Sequence, residues 1–252
     1  MILSEDLLRW SLAGLSCRCF ANRLYVYTVI KVVIYVPSSA HTGVSGMSKV
    51  LALDTLLQQN KVWRASSAGS ATAVQPTGHA RLDALLPGGG WPEAALSELL
   101  LRADGSGELH VLWPTLARLS GAGERIVLVE PPFIPYAPAW SAAGVDLRLL
   151  TIVRCANVKD ALWAMEQCLR SGSCGAVLGW AQRSGDRELR RLQVAAASGK
   201  TLGFICRPLS AANNPSPAAL RLMVEDSTPQ VRVLKSRGGL APVGLVPLNG
   251  VG

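Results

Sequence analysis

The chain has 252 residues, which is long enough to bury one sizeable α/β core together with its tails. Hydrophobic residues make up 49% of it and charged residues 17%, a balance that excludes a disordered protein, and no uncharged run reaches the roughly 18 residues that a membrane span needs. The formal net charge of +8 favours contact with phosphate groups or with an acidic protein surface.

Residues 1–46 form a first segment that has no evident partner in the later pattern. Their apolar run at 24–36 is interrupted by Lys31 and lacks a cleavage sequence of small residues, so we do not expect a secretory signal. Met47 opens a plausible native start. We therefore predict that 1–46 is a non-native or disordered leader, such as translated promoter DNA.

The next three segments differ in composition. Residues 47–75 are predicted to hold a short amphipathic helix near Val50 and then a linker of Ser, Ala and Gly. Residues 76–235 alternate strand-like and helix-like stretches, which is typical of a mainly parallel sheet with helices on its faces. The tail at 236–252 is rich in Gly and Pro, and we expect it to be flexible.

Short apolar runs bounded by turn residues predict the strands of this core. The parallel strands are predicted at Ala95–Leu101, Arg125–Val129, Gly175–Trp180 and Thr201–Cys206. A polar turn joins two further runs, Leu220–Val224 and Gln230–Leu234, and this arrangement predicts an antiparallel pair towards the C-terminus.

Two helices are indicated by apolar residues that recur on one side of a helical turn. The first covers Val158–Arg170, where Asn157 is a suitable cap at the start and Gly172 at the end. The second covers Asp186–Ala197 and has arginines on its outer side.

The loop after the first strand has the glycines of a phosphate-binding loop but lacks its chemistry. Gly105 and Gly107 are present, yet Glu108 stands where such a loop has its lysine and Leu109 where it has a magnesium-binding hydroxyl. A carboxylate repels a triphosphate, and leucine cannot hold magnesium. A later strand ends in Trp180 instead of a metal-binding aspartate. The loop is therefore predicted to be degenerate, with no nucleotide cofactor.

Other catalytic schemes also lack their residues. The histidines, His41, His79 and His110, have no nucleophile or metal partner in the sequence pattern, and we expect His79 to be a solvent-facing turn residue. The six cysteines form no CxxC pair, so we expect free thiols in a reducing cytoplasm and no metal site. We predict no catalytic residue. An ATPase with an altered site that uses Arg102 or Arg207 as phosphate contacts is an alternative.

An ordered set of motifs at 76–235 resembles the RecA recombinase core. The set consists of Thr77-Gly78, Leu82-Asp83, Leu85, Gly88-Gly89-Gly90, Pro92, Ala143–Leu147 and the helix segment Ala161–Gly172. Pro132 and Cys206-Arg207 depart from the catalytic glutamate and nucleotide-sensing residues of that family. Among the non-catalytic relatives, Leu86–Pro92 and Leu234–Gly239 resemble the ImuA family, which is grouped with SulA-like proteins.

This resemblance implies a RecA-like three-layer α/β core with a mainly parallel central sheet flanked by helices. It also implies a non-catalytic, SOS-induced accessory protein of translesion DNA synthesis, with RecA, the Y-family polymerase relative ImuB and an error-prone polymerase as partners. The DNA encoding Leu24–Val29 can resemble the operator of the SOS repressor LexA, which agrees with that reading. The alternatives are a SulA-like division inhibitor that binds FtsZ, and the divergent ATPase.

Two groups of residues are predicted to bind partners. The basic group, for nucleic acid or protein, is Arg187, Arg190, Arg191, Lys200, Lys235 and Arg237. A charged helix surface that is simply solvated explains these side chains equally well. The apolar group of partner anchors is Trp91, Phe133 and Tyr136, with core packing as the equal alternative for Trp91.

Overall fold

The computed structural model of the chain describes residues 74–226 and 229–248. The predicted leader at 1–46 and the predicted helix and linker up to residue 73 lie outside the described residues. A short antiparallel pair opens the described part, with β1 (Val74–Gln75) beside β2 (Trp91–Pro92) and helix α1 (Ala80–Asp83) between them.

An eight-stranded sheet forms the centre of the molecule. Its strands are β3 (Leu96–Leu101), β4 (Ile126–Val129), β5 (Leu150–Val153), β6 (Ala176–Trp180), β7 (Leu202–Pro208), β8 (Leu220–Val224), β9 (Gln230–Ser236) and β10 (Val246–Pro247). They lie in the order β10-β9-β8-β3-β7-β6-β4-β5. The six strands from β8 to β5 are parallel, whereas β9 and β10 are antiparallel to their neighbours. The predicted mainly parallel sheet with antiparallel strands towards the C-terminus is confirmed.

Helices cover both faces of this sheet. They are α2 (Glu108–Gly121), α3 (Ala137–Ala142), α4 (Val158–Ser171) and α5 (Asp186–Gly199). Helices α1, α2 and α3 pack on one face, and α4 and α5 pack on the other. Because parallel strands under two helical layers are shielded on both sides, they are buried along their whole length, as in β3, where all six residues are buried, Ser97 and Glu98 included.

Capping residues set the bounds of α4 as the sequence predicts. The side chain of Asn157 accepts a hydrogen bond from the Asp160 amide at 3.0 Å, which satisfies one of the free donors of the first turn. The helix stops at Gly172, whose φ of 66° is left-handed and is tolerated by glycine without strain.

The segment 209–217, which contains no long helix, covers the α4 and α5 face of the sheet above β3 and β8. Beneath it lies a buried ion network in which Glu98 of β3 accepts hydrogen bonds from Arg207 of β7 and Arg221 of β8. Arg207 also donates to the Ser184 carbonyl oxygen, and Arg221 donates to three carbonyl oxygens of the segment 211–214. The network therefore ties this segment and the loop before α5 to the sheet.

The structure corrects the boundaries that the sequence suggests for the core. The tail at 236–252 is not wholly flexible, because Val246 and Pro247 pair with β9, and Val246 and Leu248 are buried. Residues 74–75, which we assigned to the linker, pair with β2. Each helix of the described residues is too short or too polar to span a lipid bilayer.

Candidate functional site

The degenerate loop joins β3 to α2 at the carboxyl edge of the parallel strands, which is the usual place for ligands in such sheets. Gly105 and Gly107 have φ values of 82° and 110°, so the turn requires glycine at both positions. Helix α2 begins at Glu108, directly after the second of these glycines.

The carboxylate of Glu108 lies inside this loop. Its side chain is 2% exposed, and Oε1 accepts a hydrogen bond from the Gly105 amide at 2.9 Å and from the indole Nε1 of Trp180 at 3.3 Å. An amide of such a loop would otherwise be free to face a phosphate. Glu108 and Trp180, the two residues that depart from the predicted phosphate-binding pattern, therefore contact each other, and the Gly105 amide donates to a carboxylate of the protein.

A second loop stands across the edge, and we call residues 131–136 the apolar loop. It starts after Glu130, which has a left-handed φ of 51° at the end of β4, and whose carboxylate accepts a hydrogen bond from the Cys155 amide at 2.6 Å. Arg154 donates to the carbonyl oxygens of Pro131 and Phe133. These bonds, together with three prolines, restrict the loop to one shape.

The apolar loop exposes large hydrophobic side chains. Phe133, Ile134 and Tyr136 are 64%, 80% and 71% exposed. Large exposed apolar groups that lie together are typical of surfaces that bind another protein. The predicted anchors Phe133 and Tyr136 are thus accessible, and Ile134 lies beside them.

A cavity of about 160 Å³ lies between the apolar loop and the degenerate loop. Its walls include Trp113, Trp140 and Trp180 together with Glu108 and Phe133. The Phe133 ring lies over the degenerate loop, because a Cβ placed on Gly105 would be only 3.2 Å from Phe133 Cε2. The space above the loop is therefore aromatic and apolar, which suits a side chain of a partner better than a triphosphate.

The thiols near this edge are not activated. Burial is the main cause that raises the pKa of Cys155 to about 12, with Glu130 and Asp160 adding negative charge nearby. Burial also raises the pKa of Cys206 well above its usual value. Because the thiolate is the nucleophilic form, neither residue is suited to covalent chemistry at neutral pH.

Two sequence interpretations are corrected by burial. Trp91 is fully buried, donates from its indole to Thr115 Oγ1 at 2.7 Å and stands edge-on to Phe204, so it packs in the core and offers no surface to a partner. His79 is also fully buried instead of solvent-facing, and its Nε2 lies 3.1 Å from the Val111 carbonyl oxygen.

The structure divides the predicted basic group between two places. Arg187, Arg190, Arg191 and Lys200 are exposed on α5 or at its end. Lys235 and Arg237, on and after β9, donate to the carbonyl oxygens of Ser216 and Pro217 and so hold the segment above the ion network. These two side chains are thus engaged with the protein itself.

Sequence reasoning missed Arg154, which fixes the shape of the apolar loop, and the tryptophans of the cavity, Trp113 and Trp140. One signal was present for the arginine. Arg154 follows β5 and Glu130 follows the neighbouring strand β4, and the ends of paired parallel strands meet at the same edge. Trp113 and Trp140 lie on helices, and nothing in the sequence distinguishes a tryptophan that lines a cavity from one that packs in the core.

No family model matches the sequence. The chain is similar to three proteins named cell division inhibitor SulA: 36% identity over 101 residues in Edwardsiella piscicida, 31% over 120 in Pectobacterium atrosepticum and 33% over 114 in Photorhabdus laumondii. The matches cover 60%, 71% and 63% of these relatives' own lengths and 40%, 47% and 44% of this chain. A crystal structure of SulA from Pseudomonas aeruginosa aligns with a TM-score of 0.40 and 24% identity, over 46% of this chain and 98% of that chain.

Proposed function

Because this chain belongs to the SulA family, we propose that it is an SOS-related regulatory protein that acts by binding another protein and hydrolyses no nucleotide. The observation that carries this proposal is the apolar loop, which is exposed yet tightly held beside a phosphate-type loop whose anion position is taken by Glu108. Rigid apolar anchors lose little entropy on binding, and aromatic anchors dominate many protein interfaces.

The first candidate activity is inhibition of cell division, with FtsZ as the partner. The relatives that support it carry this activity in their name, cell division inhibitor SulA. In this proposal the side chains of the apolar loop lie against FtsZ, and one FtsZ side chain enters the aromatic cavity between Trp113, Trp140 and Trp180. Burying such anchors in a well-packed interface contributes more than any exposed charge pair.

The second candidate is the adaptor role in translesion synthesis, with RecA, ImuB and an error-prone polymerase as partners. One observation supports this adaptor role. The matches to the SulA relatives cover less than half of this chain, so part of the described core lies outside each match. That additional surface is available for partners that a division inhibitor does not need.

The test measures binding of the full chain to purified FtsZ, RecA and ImuB by interferometry. A variant with Phe133→Ala, Ile134→Ala and Tyr136→Ala should bind its partner at least about tenfold more weakly, because a single interface anchor contributes about 1.4 kcal/mol or more. The matched control is Val194→Ala, Leu240→Ala and Val243→Ala, which removes exposed apolar side chains elsewhere and should leave binding unchanged.

The outcomes separate the candidates. Loop-dependent binding to FtsZ supports the division inhibitor, and loop-dependent binding to RecA or ImuB supports the adaptor. Binding that survives the loop substitutions, or no binding to any of the three proteins, contradicts the proposed surface. Titration with magnesium and ATP by calorimetry should give no heat, and saturable binding with turnover would restore the divergent ATPase.

A further inference from the structure

Helices α4 and α5 hold two arginines on one buried carboxylate. Glu166 of α4 is 5% exposed, and its two oxygens accept hydrogen bonds from Arg170 of the same helix and Arg191 of α5. Both arginine side chains are 49% exposed. We call Arg170 and Arg191 the arginine pair; it lies on the α4 and α5 layer and is built from residues other than those of the apolar loop.

The buried carboxylate prepares the arginine pair for a ligand. A guanidinium has five N–H donors in a fixed plane, and the bond to Glu166 uses only part of them. The side chains are held in place before any ligand arrives, so less rotamer entropy is lost on binding. Two arginines on one carboxylate also leave one positive charge in excess at this position.

The other acids of the helix that carries Arg191, Asp186 and Glu188 of α5, are already engaged. Asp186 pairs with Arg190 at 2.7 Å, and Glu188 accepts a hydrogen bond from the Gly185 amide at the start of α5. Arg187 is exposed and has no carboxylate partner among the described residues. Arg187 lies one helical turn from Arg191, which places their Cβ atoms about 5 to 6 Å apart. Arg187 and Arg191 therefore form a short row of available positive charge along α5.

We propose that this face binds the phosphodiester backbone of a nucleic-acid strand, with one phosphate on the arginine pair and a neighbouring phosphate on Arg187. Phosphate oxygens match the planar fork of arginine and accept two parallel hydrogen bonds. Phosphates repeat along a strand, which suits arginines spaced by one helical turn. Contacts of this kind position a strand without reading its sequence.

The experiment uses the full chain and a labelled single-stranded 20-nucleotide DNA, with binding measured by fluorescence anisotropy at several salt concentrations. The variant Arg170→Ala with Arg191→Ala should bind at least about tenfold more weakly. The slope of log affinity against log salt should decrease by about 0.7 to 1.4, because one or two phosphate contacts are lost at about 0.7 each. The matched control Arg81→Ala with Arg148→Ala removes two exposed charges elsewhere and should keep wild-type binding.

A charge-conserving variant tests the geometry. Arg170→Lys with Arg191→Lys keeps the net charge, so the salt slope should stay while affinity falls several-fold, because lysine cannot make the bidentate contact. Circular dichroism of each variant serves as the control for folding. Equal binding by the lysine variant, an equal loss in the control, no DNA binding by the wild type, or equally tight binding of polyglutamate would overturn the proposal.

Discussion

Two buried glutamates, ten residues apart in the chain, differ in how fully their carboxylates are hydrogen-bonded. Glu98, in the central strand β3, is fully buried, and each of its oxygens is paired with an arginine. Glu108, at the start of α2, is 2% exposed, and while Oε1 has two donors, Oε2 is buried without a hydrogen-bond partner. One carboxylate is completed by its surroundings and the other is only half satisfied.

The surroundings of Glu108 repeat this pattern. The Nε2 atom of His110 and the Nδ1 atom of His79 are also buried without partners, and His79 packs against the first turn of α2 through its bond to Val111. The Glu98 network contains one such atom, because Arg207 Nε is also buried without a hydrogen-bond partner. Unsatisfied buried polar groups are costly, and they gather where a site retains polar groups for reasons other than stability. The Glu98 network is therefore the more completely paired of the two regions, whereas the start of α2 gathers buried polar atoms without partners.

Removing Glu98 is the strongest way to test this comparison. The change Glu98→Ala leaves Arg207 and Arg221 buried without a counter-charge, and we expect a loss of about 3 to 5 kcal/mol in the free energy of unfolding. Urea denaturation followed by circular dichroism measures it. The exposed Glu124→Ala is the control and should change stability by less than about 0.5 kcal/mol. A loss below about 1 kcal/mol for Glu98→Ala would mean that the network does not hold the sheet together.

Many of the regular elements could be predicted from the sequence because their signals are local. Four of the six parallel strands, β3, β4, β6 and β7, end within a few residues of their predicted bounds, and α4 starts and stops at its capping residues, Asn157 and Gly172. The parallel strand β5 was not predicted, and neither was the parallel pairing of β8 with β3. Apolar runs and caps act within a few residues, so a pattern in the chain identifies them. The degenerate loop could be placed for the same reason, since strand, glycines and helix follow each other directly.

The side-chain partnerships could not be predicted because they join residues far apart in the chain. Glu98 and Arg221 are 123 positions apart, and Trp180 and Glu108 are 72 apart. Nothing local distinguishes an arginine that completes a buried network from one that faces solvent. The burial of Trp91 was open for the same reason, because its partners Thr115 and Phe204 come from two later elements.

The contact between Trp180 and Glu108 gives the next largest effect. Trp180→Phe removes the indole donor, so Oε1 keeps only the Gly105 amide, and we expect a loss of about 1 to 2 kcal/mol in the free energy of unfolding. In the Glu108→Ala background the same change should cost clearly less, with a coupling of about 1 kcal/mol in a double-mutant cycle. Additive effects of the two substitutions would show that the two residues are neighbours without an energetic link.

The smallest effect is a dependence on pH at His79. Burial is the main cause that lowers the pKa of His79 below 6.5, and His110 adds to it, while the Val111 carbonyl and Asp83 act in the opposite direction. The unfolded chain therefore takes up this proton at a higher pH than the folded one. The stability contribution is complete above pH 6.5 and is lost as the pH falls towards the lowered value. Urea denaturation from pH 7.5 to 5.5 should show this decline in the wild type and a flatter profile in His79→Gln. An identical profile in the variant would assign the pH dependence to groups other than His79.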